Sequence, residues 1–128
     1  MKARLRNMAV FATFLFAAGA PALASQPLAT EREIAHLLNY VASPGCQFNR
    51  NGTWYEGSKA REHLKDKYDY MAKRKLVSNA ESFIERAASS SSMSGKAYLV
   101  RCGSGAATHS GPWLMAELKR FRSAAAAR

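Results

Sequence analysis

The sequence predicts a small α+β domain: an antiparallel sheet, made of a hairpin plus one later strand, packed against about four helices and held by one disulfide. Three observations carry that expectation. Asn51-Gly52 stands between two short runs rich in aromatic residues, several stretches repeat apolar residues at helical spacing, and two cysteines lie far apart in a chain that opens with an export leader.

The leader comes first. Residues 1–7 carry Lys2, Arg4 and Arg6 with no acid, and residues 8–18 are apolar except for Thr13. Gly19 and Pro21 interrupt that run before Ala22-Leu23-Ala24, the small, any, small pattern that signal peptidase reads. Residues 1–24 are therefore expected to be a cleaved signal peptide, leaving residues 25–128 as a single domain with a frayed tail from about residue 123. The apolar run falls short of the roughly 20 residues that span a bilayer. No cysteine stands near the cut to take a lipid, so a periplasmic or secreted monomer without a transmembrane segment is expected.

The net charge is +10, and losing the three leader cations leaves 16 basic and 9 acidic residues, or +7. Such a surface favours anionic partners in general. In an oxidising compartment the two cysteines, Cys46 and Cys102, are expected to pair. Closing so long a loop removes roughly 4 kcal/mol of unfolded-chain entropy. The pairing also takes both thiols out of consideration as nucleophiles or metal ligands.

The elements follow in order. Thr30-Glu31-Arg32-Glu33 reads as a capping box, and Ile34, Leu37, Leu38 and Val41 recur at helical spacing, so a helix is expected over residues 31–42. Ser43-Pro44-Gly45 ends it. Asn51-Gly52 then turns a hairpin within residues 46–55, and Gly57-Ser58 opens a second helix with the apolar stripe Ala60, Leu64, Tyr68 and Met71. Ser78-Asn79-Ala80-Glu81 reads as a second capping box before a short helix that buries Phe83, Ile84, Ala87 and Ala88. The hydroxyls of residues 89–94 compete for backbone groups and stop that helix. Residues 96–102 alternate as a strand, with Tyr98, Val100 and Cys102 on one side, and residues 103–111 form a loop. Pro112 starts a last helix whose Trp113, Leu114, Leu118 and Phe121 face inward.

The order of motifs carries a resemblance. Cys46-x-Phe48-x-Arg50-Asn51-Gly52-x-Trp54-Tyr55, His63-Leu64-x-x-Lys67-Tyr68-x-Tyr70, Phe83-Ile84-Glu85, the run from Ala87-Ala88-Ser89 through Ser94-Gly95 to Tyr98, and Trp113-Leu114-x-x-Glu117-Leu118 follow one pattern. It resembles a small exported proteobacterial family catalogued as domain-of-unknown-function family 5329, over nearly all of the mature chain. The resemblance implies an envelope protein and carries over no catalytic residue.

Ser94-Gly95-Lys96-Ala97-Tyr98 is the sharpest local signal, because it fits the Ser-Gly-x-x-Tyr motif of bacterial inhibitors of animal lysozymes. In those proteins the loop enters the lysozyme cleft, where a hydroxyl meets the catalytic carboxylates, a glycine permits close approach and a tyrosine braces the loop. The plainer reading is a turn leading into a strand. A basic inhibitor is also repelled by basic lysozymes unless acids cluster at the contact. Ser92, Ser94, Gly95, Lys96 and Tyr98 are the candidate binding residues, and the run of hydroxyls could also form an anion nest.

Lys59, His63, Asp66 and Tyr70 fall on one stripe of the second helix at offsets of 4, 7 and 11. An enzyme acting on cell-wall material would use His63 and Asp66 there, while a hydrogen-bonded seam is the structural alternative. His36 and His109 lack partners at zinc spacing, so neither metal nor cofactor is expected. The pair Gly95-Lys96 lacks the first glycine and following hydroxyl of a phosphate loop. Arg50, Trp54, Tyr55 and Lys59 mix bases with aromatics as a single-strand surface does, but export argues against nucleic acid. The function expected is non-enzymatic binding of a protein or anionic envelope polymer, with lysozyme as the most concrete partner.

Overall fold

The computed structural model describes residue 19 and residues 27–128. Apart from that one position, the expected signal peptide lies outside the described residues.

Helix α1 spans Leu28–Val41 and buries Ile34, Leu37, Leu38 and Val41. It begins earlier than the sequence suggests, and the Thr30 capping box does not form. Proline's restricted φ, −53° at Pro27, leads straight into the helix, and the Pro27 carbonyl accepts from the Glu31 amide at 3.2 Å. Thr30 is thus inside the first turn and buried.

Strand β1, Cys46–Arg50, and strand β2, Thr53–Glu56, form the expected hairpin. Asn51 and Gly52 take φ of 52° and 88°, the paired positive angles of a tight hairpin turn. Helix α2, Gly57–Lys73, starts with no intervening loop. Gly57 is required there because a Cβ would lie 2.5 Å from the Val41 carbonyl oxygen, so the start of α2 is pressed against the end of α1.

Helix α3 is short, Ala80–Phe83, and its capping box sits one residue later than expected. Asn79 Oδ1 accepts from the Ser82 amide at 2.8 Å and Ser82 Oγ accepts from the Asn79 amide at 3.1 Å. The helix then widens into a π-helical turn over Ile84–Ala88, which Ser89 Oγ closes by donating to the Ile84 carbonyl at 2.7 Å. Strand β3 is Leu99–Cys102, three residues shorter at its start than expected, and strand β4, Thr108–His109, falls inside the segment expected to be loop.

Helix α4, Ser110–Ala126, begins before Pro112. The reason is a tertiary contact: Ser110 is buried and its Oγ donates to the Ala88 carbonyl at 2.6 Å, anchoring the first turn on the end of the π-helical segment. The helix continues into the alanine-rich stretch through Ala126, where helix propensity is high although the side chains are exposed.

The sheet order is β2-β1-β3-β4, antiparallel throughout, with Cys46 opposite Cys102 and Phe48 opposite Val100. Alternation therefore puts Cys46, Phe48, Arg50, Tyr55 and Val100 on one face. Cys46, Phe48 and Val100 join the helical residues Leu37, Leu64, Phe83, Leu114 and Leu118 in one core. The expected disulfide closes Cys46 to Cys102 across that pairing, over a sequence separation of 56.

Ion pairs hold α4 to its neighbours. Arg122 reaches Glu33 of α1 and Glu81 of α3, and its guanidinium is held above its usual range by those two carboxylates. Glu117 is 5% exposed and accepts from His36 Nε2 at 2.8 Å and Arg120 Nε at 2.9 Å. The Arg120 bond, opposed by burial and helped by His36, keeps the Glu117 carboxyl below its usual range. A depressed folded-state pKa gives stability that is present above the unfolded value and lost as pH falls through the folded one. Glu117→Gln should therefore cost about 1.5 to 3 kcal/mol at neutral pH, the scale for hydrogen bonds to a charged group. Urea unfolding across pH should show that difference shrinking below about pH 5.

Candidate binding site

The segment after the π-helical turn doubles back on itself. Tyr98 N donates to the Ser89 carbonyl, Ser91 N to that of Lys96 and Gly95 N to that of Ser91, each at 2.9 Å, with a bridge between Ser90 and Ala97. Gly95 sits at φ 72°, a conformation that favours glycine. The hairpin tip clasps this loop from the side: Asn51 Nδ2 donates to Ser91 Oγ at 3.3 Å, and Ser94 Oγ donates to Asn51 Oδ1 at 2.5 Å. Beneath it, Lys67 Nζ donates to the Ser90 carbonyl at 3.0 Å.

The candidate residues separate into two groups. Ser92, Ser94, Gly95 and Lys96 are exposed, while Tyr98 is buried as the brace. Met93, which the sequence did not single out, stands between them at 97% exposed. The amides of Met93 and Ser94 are directed at Ser91 Oγ and that of Lys96 at Ser94 Oγ, so these three point into the loop and are not offered to an outside anion.

The Tyr98 hydroxyl joins the loop to a second feature. It receives Lys67 Nζ at 3.1 Å and lies 3.3 Å from His63 Nε2, and Arg50 Nη1 lies 2.8 Å from His63 Nδ1. Arg50, His63 and Tyr98, with Lys67 behind them, border a recess of about 260 Å3 between the hairpin and α2, walled by Phe48, Tyr55, Ala60 and Leu64. The exposed Lys59, Glu62 and Asp66 line its solvent side.

Burial, then Arg50 and Lys67, push His63 below its usual pKa against a smaller opposing pull from Asp66. Burial and then Arg50 bring Lys67 down to about 8. Burial raises Tyr98, with Arg50 opposing. A neutral His63 ring can accept the Arg50 hydrogen bond.

The stripe of α2 is only partly assembled. His63 and Asp66 share the recess, but His63 hydrogen-bonds Arg50 and Tyr98, Lys59 pairs with Glu62, and Tyr70 is 57% exposed with the Arg74 guanidinium over its ring. Among the described residues no group of three or more His, Cys, Asp or Glu side chains is placed to hold a metal ion. Sequence reading named Arg50 in an aromatic-basic surface and Lys67 in the family pattern, but gave neither a place beside His63 and Tyr98. A signal existed for both: Arg50 alternates with Cys46 and Phe48, and Lys67 follows His63 by one helical turn.

The family of unknown function designated DUF5329 matches residues 28–122. The chain belongs to this family. The match begins at the first residue of α1 and ends at the arginine that ties α4 to α1 and α3, so the loop and the recess both lie within the family unit. No curated protein and no solved structure matches the chain significantly.

Lys67 yields a pH prediction. Its folded-state pKa lies below the unfolded value of about 10.4, so between them the unfolded chain binds more protons and stability rises with pH. Wild type should thus gain stability relative to Lys67→Met as pH is raised from about 7 to 9.5, read by thermal unfolding at each pH. A parallel course for the two proteins would contradict the burial of that ammonium.

Proposed function

We propose that this chain is an exported, non-enzymatic binding module whose contact surface is the loop of residues 91–96. The partner is a protein or an anionic polymer of the cell envelope. The leader-like start, the positive charge and a disulfide, which persists in oxidising compartments, support export. Among the described residues no helix is long and apolar enough to cross a membrane.

One observation carries the reading: the loop is tied down at Ser90, Ser91, Ser94 and Tyr98, yet leaves Met93 97% exposed at its tip. A bare apolar side chain is ordinary on a surface, but one held on a braced backbone loses little conformational freedom on binding. Methionine also adapts to irregular partner surfaces.

Lysozyme inhibition is the most concrete version, favoured by Ser94 being exposed, Gly95 being left-handed and Tyr98 being anchored. In that version Ser94 Oγ exchanges its bond to Asn51 for a lysozyme carboxylate. The enzyme alternative places its chemistry on His63 and Asp66 instead.

Burying a methionine is worth roughly 1.5 to 3 kcal/mol, so Met93→Ser should weaken the complex by about tenfold or more. Gly95→Val, forced into a positive φ, should weaken it at least as much, and Lys119→Ala should leave it unchanged. The measurement is retention of envelope components, and protection of cells against chicken-, goose- and invertebrate-type lysozymes, by wild type and the three variants. Equal behaviour of all four proteins would remove the loop as the contact surface. Cell-wall turnover lost in His63→Gln and Asp66→Asn would favour the enzyme.

A further inference from the structure

The recess beside Tyr98 has its own chemistry, separate from the loop. Arg120 is matched by Glu117, and Arg122 by Glu33 and Glu81. Arg50 and Lys67, by contrast, meet no carboxylate at ion-pair distance among the described residues; their partners are neutral, the His63 ring, the Tyr98 hydroxyl and the Ser90 carbonyl, with Arg50 over the Tyr55 ring at 5.6 Å and Lys67 over the Tyr98 ring at 5.0 Å. Two cations and a histidine are thus gathered at half-buried positions, where burial and Arg50 disfavour charge on both His63 and Lys67. Such an arrangement is costly for the protein alone and is relieved by a bound anion.

The cavity restricts what that anion can be. Its walls are the rings of Phe48 and Tyr55 with Ala60 and Leu64, so a bare hydrated ion leaves them uncovered. At about 260 Å3 it lies just under the roughly 300 to 1,000 Å3 of drug-sized sites, which suits a compact molecule. Glu62 and Asp66 on the solvent side oppose a ligand of high negative charge.

We propose that this recess binds a carboxylate or phosphate monoester carried on a compact apolar body, with Arg50 and His63 receiving the anion and Phe48, Tyr55, Ala60 and Leu64 enclosing the body. Arg50 supplies charge-assisted hydrogen bonds, the Tyr98 hydroxyl adds a donor, and Lys67 contributes positive field from behind. The groups facing His63 are Arg50 from β1, Tyr55 from β2, Lys59, Glu62, Asp66 and Lys67 from α2, and Tyr98 ahead of β3. An anion among them draws the Arg50 N–H away from the ring and offsets the repulsion from Arg50 and Lys67, so binding favours a protonated His63 that donates to the anion instead of accepting from Arg50, and it strengthens as pH falls towards that group's titration range.

The test uses the disulfide-bonded protein with four probes: benzoate, phenyl phosphate, inorganic phosphate and the uncharged benzyl alcohol, followed by NMR. Benzoate or phenyl phosphate should give saturable shifts at His63 and Tyr98 and raise the His63 titration midpoint in wild type. Which of the two binds more tightly identifies the anion. Arg50→Gln should weaken that binding at least tenfold, while Lys119→Ala should not. Absence of saturable shifts with both aromatic anions at millimolar concentration overturns the proposal, as does a His63 midpoint that stays put in their presence. Benzyl alcohol binding as tightly as the anions would remove the charge requirement, and inorganic phosphate doing so would remove the apolar body. The wild-type midpoint decides the matter even if Arg50→Gln fails to fold.

Discussion

The cross-strand bond between Cys46 and Cys102 fixes the pairing on which the rest of the molecule depends. Strands β1 and β3 are distant in sequence, and their antiparallel register decides what lies opposite what. With Cys46 opposite Cys102, Phe48 falls opposite Val100, and both enter the core. A slip of one residue would send each of these side chains to the opposite face. The same register carries Arg50 and Tyr98, at the far ends of the two paired segments, towards α2, where His63 and Lys67 meet them.

Tyr98 is the shared part of the two candidate sites. Its backbone closes the serine loop through Ser89, and its hydroxyl receives Lys67 and borders the recess. A partner at the loop and a ligand in the recess would therefore press on one side chain from two sides. The electrostatics divide in the same way. Carboxylates neutralise the cations that hold α4, whereas among the described residues Arg50 and Lys67 meet neutral acceptors and the faces of Tyr55 and Tyr98, which leaves two cations without a carboxylate beside the recess.

Much of the fold was legible because its signals are local. Asn51-Gly52 dictates a hairpin by backbone angle alone, and the α2 stripe of Ala60, Leu64, Tyr68 and Met71 repeats at helical spacing onto the core. Where sequence reading erred, a neighbouring residue, Pro27 ahead of Thr30, or a tertiary contact outweighed the preference read from the sequence. Thr30 looked like a cap but is buried in the first turn, Ser110 starts α4 because Ala88 accepts its hydroxyl, and β4 exists because β3 offers an edge to residues 108–109. The motif of the serine loop was visible, and so was Tyr98. The grouping of Arg50 with Lys67 was not, because it joins a strand to a helix across the hairpin and has no sequence spacing of its own. Glu117 was hidden for a similar reason: it occupies a buried helical position, and His36 from another helix supplies one of its partners.

Native-state hydrogen exchange, comparing the disulfide-bonded protein with a Cys46→Ala/Cys102→Ala variant, tests this dependence most directly. Loss of the bond should cost about 2 to 5 kcal/mol in unfolding. The Ser91 and Tyr98 amides, remote from the cysteines in the loop, should lose protection together with those of β1 and β3. A variant destabilised by less than about 1 kcal/mol, against that expected range, with Ser91 and Tyr98 still fully protected, would show that the register stands without the bond.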